Sequence, residues 1–155
     1  MKFTVSDIAE LDALAGKFAC ELKAGDTILL DGELGSGKTE FVRRVAKHLG
    51  VKEDVTSPTF CFLNTYDTNS DFKLHHFDIY RLNSEDELSD VGFDECGYDP
   101  ADGFAFIEWA SKFPDAMPED ALQLNFSGQG DGPREIVAIP NSQRMQHFLE
   151  SVSHD

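Results

Sequence analysis

The chain is short of positive charge: 13 Lys and Arg stand against 29 Asp and Glu, for a formal net charge of −16. So acidic a surface repels phosphate backbones, which argues against direct, tight nucleic-acid binding. Cysteine is scarce as well. Cys20, Cys61 and Cys96 are far apart, odd in number and form no C-x-x-C pair. That argues against a disulfide framework or a metal site and reads as reduced thiols in a cytoplasm. No apolar run approaches the ~18 residues of a membrane span. The first residues, Met1 to Asp7, lack the apolar stretch of a signal peptide, so a cytoplasmic protein is expected. There is no repeat, low-complexity tract or linker, and 155 residues make one domain, 1–155. A chain of this size buries roughly 68–70% of its unfolded surface, enough for a core without staples.

The acidic excess is concentrated. The stretch from Ser84 to Gly103 holds Glu85, Asp86, Glu87, Asp90, Asp94, Glu95, Asp99 and Asp102 with no Lys or Arg. Two readings stand: a solvated face, or a docking surface for a basic patch on a partner.

Periodicity organises the rest. Ser6 or Asp7 can cap a first helix running to about Leu22, with Ile8, Leu11, Leu14, Ala15 and Phe18 on one face. Thr27–Leu30 reads as a buried strand, Lys38–Leu49 as a helix stopped by Gly50, and Phe60–Tyr66 and Phe72–Phe77 as strands. Ser84 can cap a short helix over Glu85–Leu88. Phe104–Ile107 is fully apolar and reads as a central strand. Ala121–Phe126 and Glu135–Ile139 form a strand pair around the Gly128–Gly132 turn, before a terminal helix over Gln143–Val152. The expected fold is α/β: a three-layer domain whose central sheet is mixed, mostly parallel and flanked by helices.

The strongest local signal is Gly32-Glu33-Leu34-Gly35-Ser36-Gly37-Lys38-Thr39, an ungapped G-x-x-x-x-G-K-[ST]. Its glycines let the backbone approach phosphates closely, and its N–H groups form an anion nest at a helix N-terminus. Lys38 supplies a cation for the β- and γ-phosphates, and the Thr39 hydroxyl is a Mg²⁺ ligand. The context is right, with a strand before and a helix after. ATP and Mg²⁺ are the expected ligands.

A P-loop site also needs acids for the metal and a group to orient water. Asp78 and Glu108 each end an apolar strand, and ligands of open α/β sheets collect at the carboxyl ends of parallel strands. If those strands are parallel, the acids converge on the loop. Ser57-Pro58-Thr59 is a candidate switch loop, with Thr59 as a sensor of the γ-phosphate. His75 and His76 are adjacent and must face opposite sides of a strand, one packed and one near the site.

Four motifs occur in order: Glu33–Thr39, Ser57-Pro58-Thr59-Phe60, His76-Phe77-Asp78-Ile79-Tyr80-Arg81-Leu82 and Ile107-Glu108-Trp109. Together they resemble the bacterial tRNA threonylcarbamoyladenosine biosynthesis ATPase family, TsaE (YjeE-like), over most of the chain, to about Arg134. The resemblance implies an ATPase that works with the TsaB–TsaD heterodimer in forming N6-threonylcarbamoyladenosine on tRNAs reading codons that begin with A. It implies that hydrolysis resets that complex and that this protein does not itself transfer the threonylcarbamoyl group. By motif, Glu33 to Glu40 hold the nucleotide, Lys38 and Thr39 hold phosphate and Mg²⁺, Asp78 is the acid on the Mg²⁺ side, and Glu108 ligates the metal or positions water. One departure is visible. The family often has a second Thr where this chain has Glu40; the backbone N–H still reaches the α-phosphate, but a hydroxyl contact is lost and a negative charge added.

The rival readings are a P-loop small-molecule kinase and an ATP-gated interaction module without significant turnover. A kinase needs an Arg-rich lid, and none is apparent. A GTPase lacks its N-K-x-D-type motif here. With no arginine finger assignable, unassisted hydrolysis is expected to be slow, on the order of 10⁻⁴–10⁻² s⁻¹.

Overall fold

A computed structural model of the chain describes residues 1–58, 61–98, 100–128 and 132–153. Asp7 is the residue that caps the first helix, α1 (Ile8–Glu21). Its Oδ1 accepts from Glu10 N at 2.9 Å, while Glu10 Oε2 accepts from Ser6 N at 2.9 Å. Leu11, Leu14, Ala15 and Phe18 are buried, as their spacing requires. Ile8 is not on that buried face. It is 52% exposed, because the first turn reaches beyond the core to the wall of a hollow beside Gly37.

Among the described residues seven strands form one sheet: β1 (Lys2–Val5), β2 (Thr27–Asp31), β3 (Leu63–Asp67), β4 (Lys73–Asp78), β5 (Gly103–Glu108), β6 (Leu122–Ser127) and β7 (Arg134–Pro140), in the order β1-β7-β6-β2-β5-β4-β3. The four strands β6-β2-β5-β4 pair in parallel, and β3 and β7 run against them. The sheet is thus mixed and mostly parallel, as expected. β2 lies at its centre with all five residues buried, which is why its sequence is a run and not an alternation. β1 was not foreseen. Its four residues are too few for a local pattern, and it exists by pairing antiparallel with β7, Phe3 opposite Ile136. The strand expected from Phe60 begins at Leu63. Phe60 itself lies outside the described residues, and Phe62 takes a left-handed turn (φ 63°) with its N–H on Pro58 O at 2.7 Å.

Three helices, α1, α2 (Lys38–His48) and α4 (Gln143–Ser153), cover one face of the sheet. Phe18 meets Phe41 and Phe148 edge-on there, with both centroid distances 5.1 Å. The opposite layer is thinner. Leu82, Leu88 and Phe93 pack on Leu29, Phe77 and Ile107, carried by a 3₁₀ turn at Glu85–Val91 and the one-turn helix α3 (Phe93–Cys96). The short helix expected after Ser84 is this 3₁₀ turn, capped as Glu87 Oε1 accepts from Ser84 N at 3.1 Å. Glu85, Asp86, Asp90, Asp94 and Glu95 all face solvent, while Leu88 and Phe93 anchor the segment.

Candidate functional site

The loop after β2 is shaped by its glycines. Gly32, Gly35 and Gly37 have φ of 146°, 81° and 107°, which L side chains rarely adopt. At Gly32 a Cβ would also stand 2.5 Å from Phe126 O, so the loop turns hard against β6. Gly37 precedes α2 without any side-chain cap, so the first-turn N–H groups and the positive helix end face the loop. Glu33, Leu34 and Gly35 form the exposed tip, Leu34 at 70%. Ser36 is buried, and its Oγ has no hydrogen-bond partner among the described residues.

Lys38 folds back into this loop. Its Nζ donates to Gly32 O and, at 3.1 Å, to Glu33 O, and lies 4.3 Å from the centre of the Trp109 ring. Burial pushes its pKa below the ordinary lysine value, while the carboxylates of Glu108, Asp31 and Asp78 pull the other way. Trp109 is placed over the ammonium by a left-handed backbone (φ 67°) at the end of β5, held as its N–H donates to Leu30 O at 2.8 Å. A non-glycine residue in that region costs about 1–3 kcal/mol and is typical of functional sites.

The two acids meet at this loop. β4 and β5 are parallel and in register, with Asp78 opposite Glu108, and β5 lies beside β2. Thr39 Oγ1 donates to Glu108, 2.9 and 3.0 Å from its two oxygens, and His76 Nε2 lies 2.5 Å from Glu108 Oε2. Asp78 accepts from Ser57 Oγ at 2.9 Å and from Tyr80 N at 3.1 Å. Both acids are buried. Thr59, the candidate sensor, lies outside the described residues. Glu40 turns along its own helix and pairs with Arg43 and, at 3.4 Å, with Arg44, which offsets its added charge.

Of the two histidines, His76 reaches the site. His75 faces the other way, with Nδ1 2.9 Å from Thr65 Oγ1 and Nε2 2.8 Å from Asp102 Oδ1. Sequence reasoning passed over two residues at the loop. Asp31 ends β2 directly before Gly32, buried, and accepts from Ser111 N at 2.9 Å and Gln123 Nε2 at 2.7 Å. An acid closing an apolar strand, the signal that marks Asp78 and Glu108, marks it too. Arg134 comes from β7 and donates to Gly35 O at 3.4 Å; no local pattern connects it with a loop about a hundred residues away. Beside the cleft of about 600 Å³ that holds Lys38, Thr39, Asp78 and Glu108 is a hollow of about 270 Å³ walled by Val5, Ile8, Leu11 and Phe126, and Gly37, Glu40 and Arg134 border both.

The arrangement can take a polyphosphate and a hard cation. The loop offers backbone donors, an ammonium and a buried hydroxyl, and the wall opposite offers hydroxyl and carboxylate oxygens. No group of three or more His, Cys, Asp or Glu able to hold a metal alone occurs among the described residues.

Comparison with known proteins identifies the family. Residues 5–136 match the family model of the threonylcarbamoyl adenosine biosynthesis protein TsaE. The tRNA threonylcarbamoyladenosine biosynthesis protein TsaE of Bacillus subtilis is 35% identical, with 100% of this chain and 96% of that protein aligned. The protein of the same name from Treponema pallidum is 35% identical over 86% of this chain and 94% of its own length. The crystal structure of Bacillus subtilis YdiB superposes with a TM-score of 0.80 at 29% identity, over 99% of this chain and 93% of that one. With its fold, its motifs and its relatives in agreement, this chain belongs to the TsaE family of threonylcarbamoyl adenosine biosynthesis proteins.

Proposed function

We propose that this protein binds Mg-ATP in the Gly32–Thr39 loop and hydrolyses it slowly, and that hydrolysis supports the TsaB–TsaD complex as it forms N6-threonylcarbamoyladenosine on tRNAs reading codons that begin with A. The observation that carries the reading is the convergence of Thr39, Glu108 and Asp78 at the mouth of a glycine-built loop holding a buried lysine.

The β- and γ-phosphates lie along the loop amides and draw Lys38 away from the carbonyls of Gly32 and Glu33. The base occupies the apolar hollow by Ile8, Leu11 and Phe126, which leaves the ribose near Glu40 and Arg134. Thr39 would hold the metal, with Asp78 as the acid on its side and Glu108 either ligating it or orienting the attacking water. Magnesium, when bound, supplies charge neutralisation across the β- and γ-phosphates. Thr39 can serve this role while its hydroxyl still donates to Glu108, because its oxygen lone pairs stay available. Nothing among the described residues forms an Arg-rich lid, so phosphoryl transfer to a small acceptor is not favoured. The protein acts in the cytoplasm, where its free cysteines stay reduced, and its acidity suits a partner that is a protein complex and not a bare tRNA.

The test has two arms. Calorimetry with ATP and Mg²⁺ should show association. A pull-down with the TsaB–TsaD pair in the presence of ATP should recover this protein, with faster turnover than in isolation. No heat of binding would remove the phosphate-loop reading; binding without association would remove the partner.

A further inference from the structure

We infer that His76 is a positioning residue, whose ring fixes the Glu108 carboxylate in the orientation the reaction needs. The inference rests on reading Glu108 as the acid of an ATPase site. His76 is fully buried on β4, in register with Phe106 of the neighbouring β5, and its side chain lies on the α2 face of the sheet. Its Nε2 is 2.5 Å from Glu108 Oε2, and both side chains are almost wholly shielded from solvent.

Among the described residues the rest of the ring makes no polar contact. Nδ1 is buried without a hydrogen-bond partner among the described residues. A histidine retained for packing alone would carry an orphaned nitrogen that Leu or Phe would avoid at similar size, so the bond from Nε2 is what the position provides. That bond also fixes the donor: a carboxylate accepts, so Nε2 carries a proton.

Glu108 has two listeners on one carboxylate. Thr39 Oγ1 spans both oxygens, at 2.9 and 3.0 Å, and so leaves the carboxylate free to rock about that contact. His76 approaches Oε2 only, which removes the rocking. The ring thereby fixes which edge of the carboxylate faces the cleft.

Two substitutions of equal polarity separate position from packing. In His76→Gln the amide nitrogen lies at the reach of Nε2; in His76→Asn it lies at the reach of Nδ1, away from Glu108. Expected for His76→Asn is a fall in kcat of roughly 10–100-fold, the usual range for a lost outer-shell partner, with ATP affinity measured in EDTA unchanged. His76→Gln should turn over close to the wild-type rate. In ligand-free crystal structures the Glu108 carboxylate should keep its orientation in wild type and His76→Gln and be rotated about the Thr39 contact in His76→Asn. Equal behaviour of the two variants, an unmoved Glu108 in His76→Asn, or loss of folding in either would overturn the assignment. If wild-type protein shows no turnover with its partners, the ATPase reading falls, and the crystal structures alone decide whether His76 orients Glu108.

Discussion

Replacing Lys38 by Met should separate the cost of that ammonium in the free protein from its use with ligand. Met keeps the buried unbranched stem and removes only the charge. In the free protein the ammonium is desolvated, and burial is the largest influence on its pKa, exceeding the pull of Glu108, Asp31 and Asp78. The ligand-free melting temperature of Lys38→Met should therefore equal or exceed that of wild type. With ATP the balance reverses. If ATP binds as proposed, the ammonium would make charge-assisted hydrogen bonds to two phosphates, each worth about 1.5–3 kcal/mol, so the variant should lose at least about 100-fold in affinity. At ATP about 100 times the wild-type Kd, wild type gains about 2.7 kcal/mol and the variant at most about 0.4 kcal/mol. For a chain of this size about 2–4 °C accompany each kcal/mol, so the ligand-induced rise in Tm should differ by about 5–9 °C. Thermal melts with and without Mg-ATP give both numbers. A variant that kept the full rise would refute the phosphate-binding role of Lys38. A free variant melting well below wild type would show that the surrounding carboxylates outweigh desolvation.

Other outcomes follow from single contacts. Glu108→Gln should bind ATP but lose turnover by about 10²–10⁴-fold, the range for a positioned acid–base group; unchanged turnover in steady-state assays would move Glu108 out of the chemistry. Arg144 holds the buried Asp26 with Nε at 3.2 Å from Oδ1 and a terminal nitrogen at 2.7 Å from Oδ2, joining α4 to the turn before β2. Arg144→Met removes the cation paired with that carboxylate, which keeps the Lys23 N–H at 2.7 Å, and should cost about 3 kcal/mol in urea unfolding, at the low end for a broken buried pair because Arg144 is partly exposed. Asp102 has its pKa lowered below 3.8, chiefly by its hydrogen bond to His75. Its contribution to stability is present above the ordinary aspartate value and is lost as pH falls through the depressed one. Asp102→Asn should therefore flatten the acid limb of a plot of urea midpoint against pH; an unchanged slope below pH 3.8 would dismiss the contact.

Much of this site was legible because its parts are contiguous. The Gly32–Thr39 loop needs glycines at fixed places for backbone reasons alone, and the strand before it and the helix after it are periodic enough to place it. Asp78 and Glu108 could be singled out because each closes an apolar run. That the runs are parallel, adjacent and in register is a non-local fact, decided when the side chains of β4, β5 and β2 packed beneath α2. Trp109 over Lys38 follows from one left-handed residue and a hydrogen bond to Leu30; Arg134 beside Gly35 follows from where β7 begins. β1 has too few residues to signal itself, and Ile8 shares the spacing of a buried face yet lies beyond the core that would bury it. Local chemistry, written in short segments, survives being read one residue at a time. Which nitrogen of His76 meets which oxygen of Glu108 depends on two strands brought side by side, and a linear chain holds no record of distance between them.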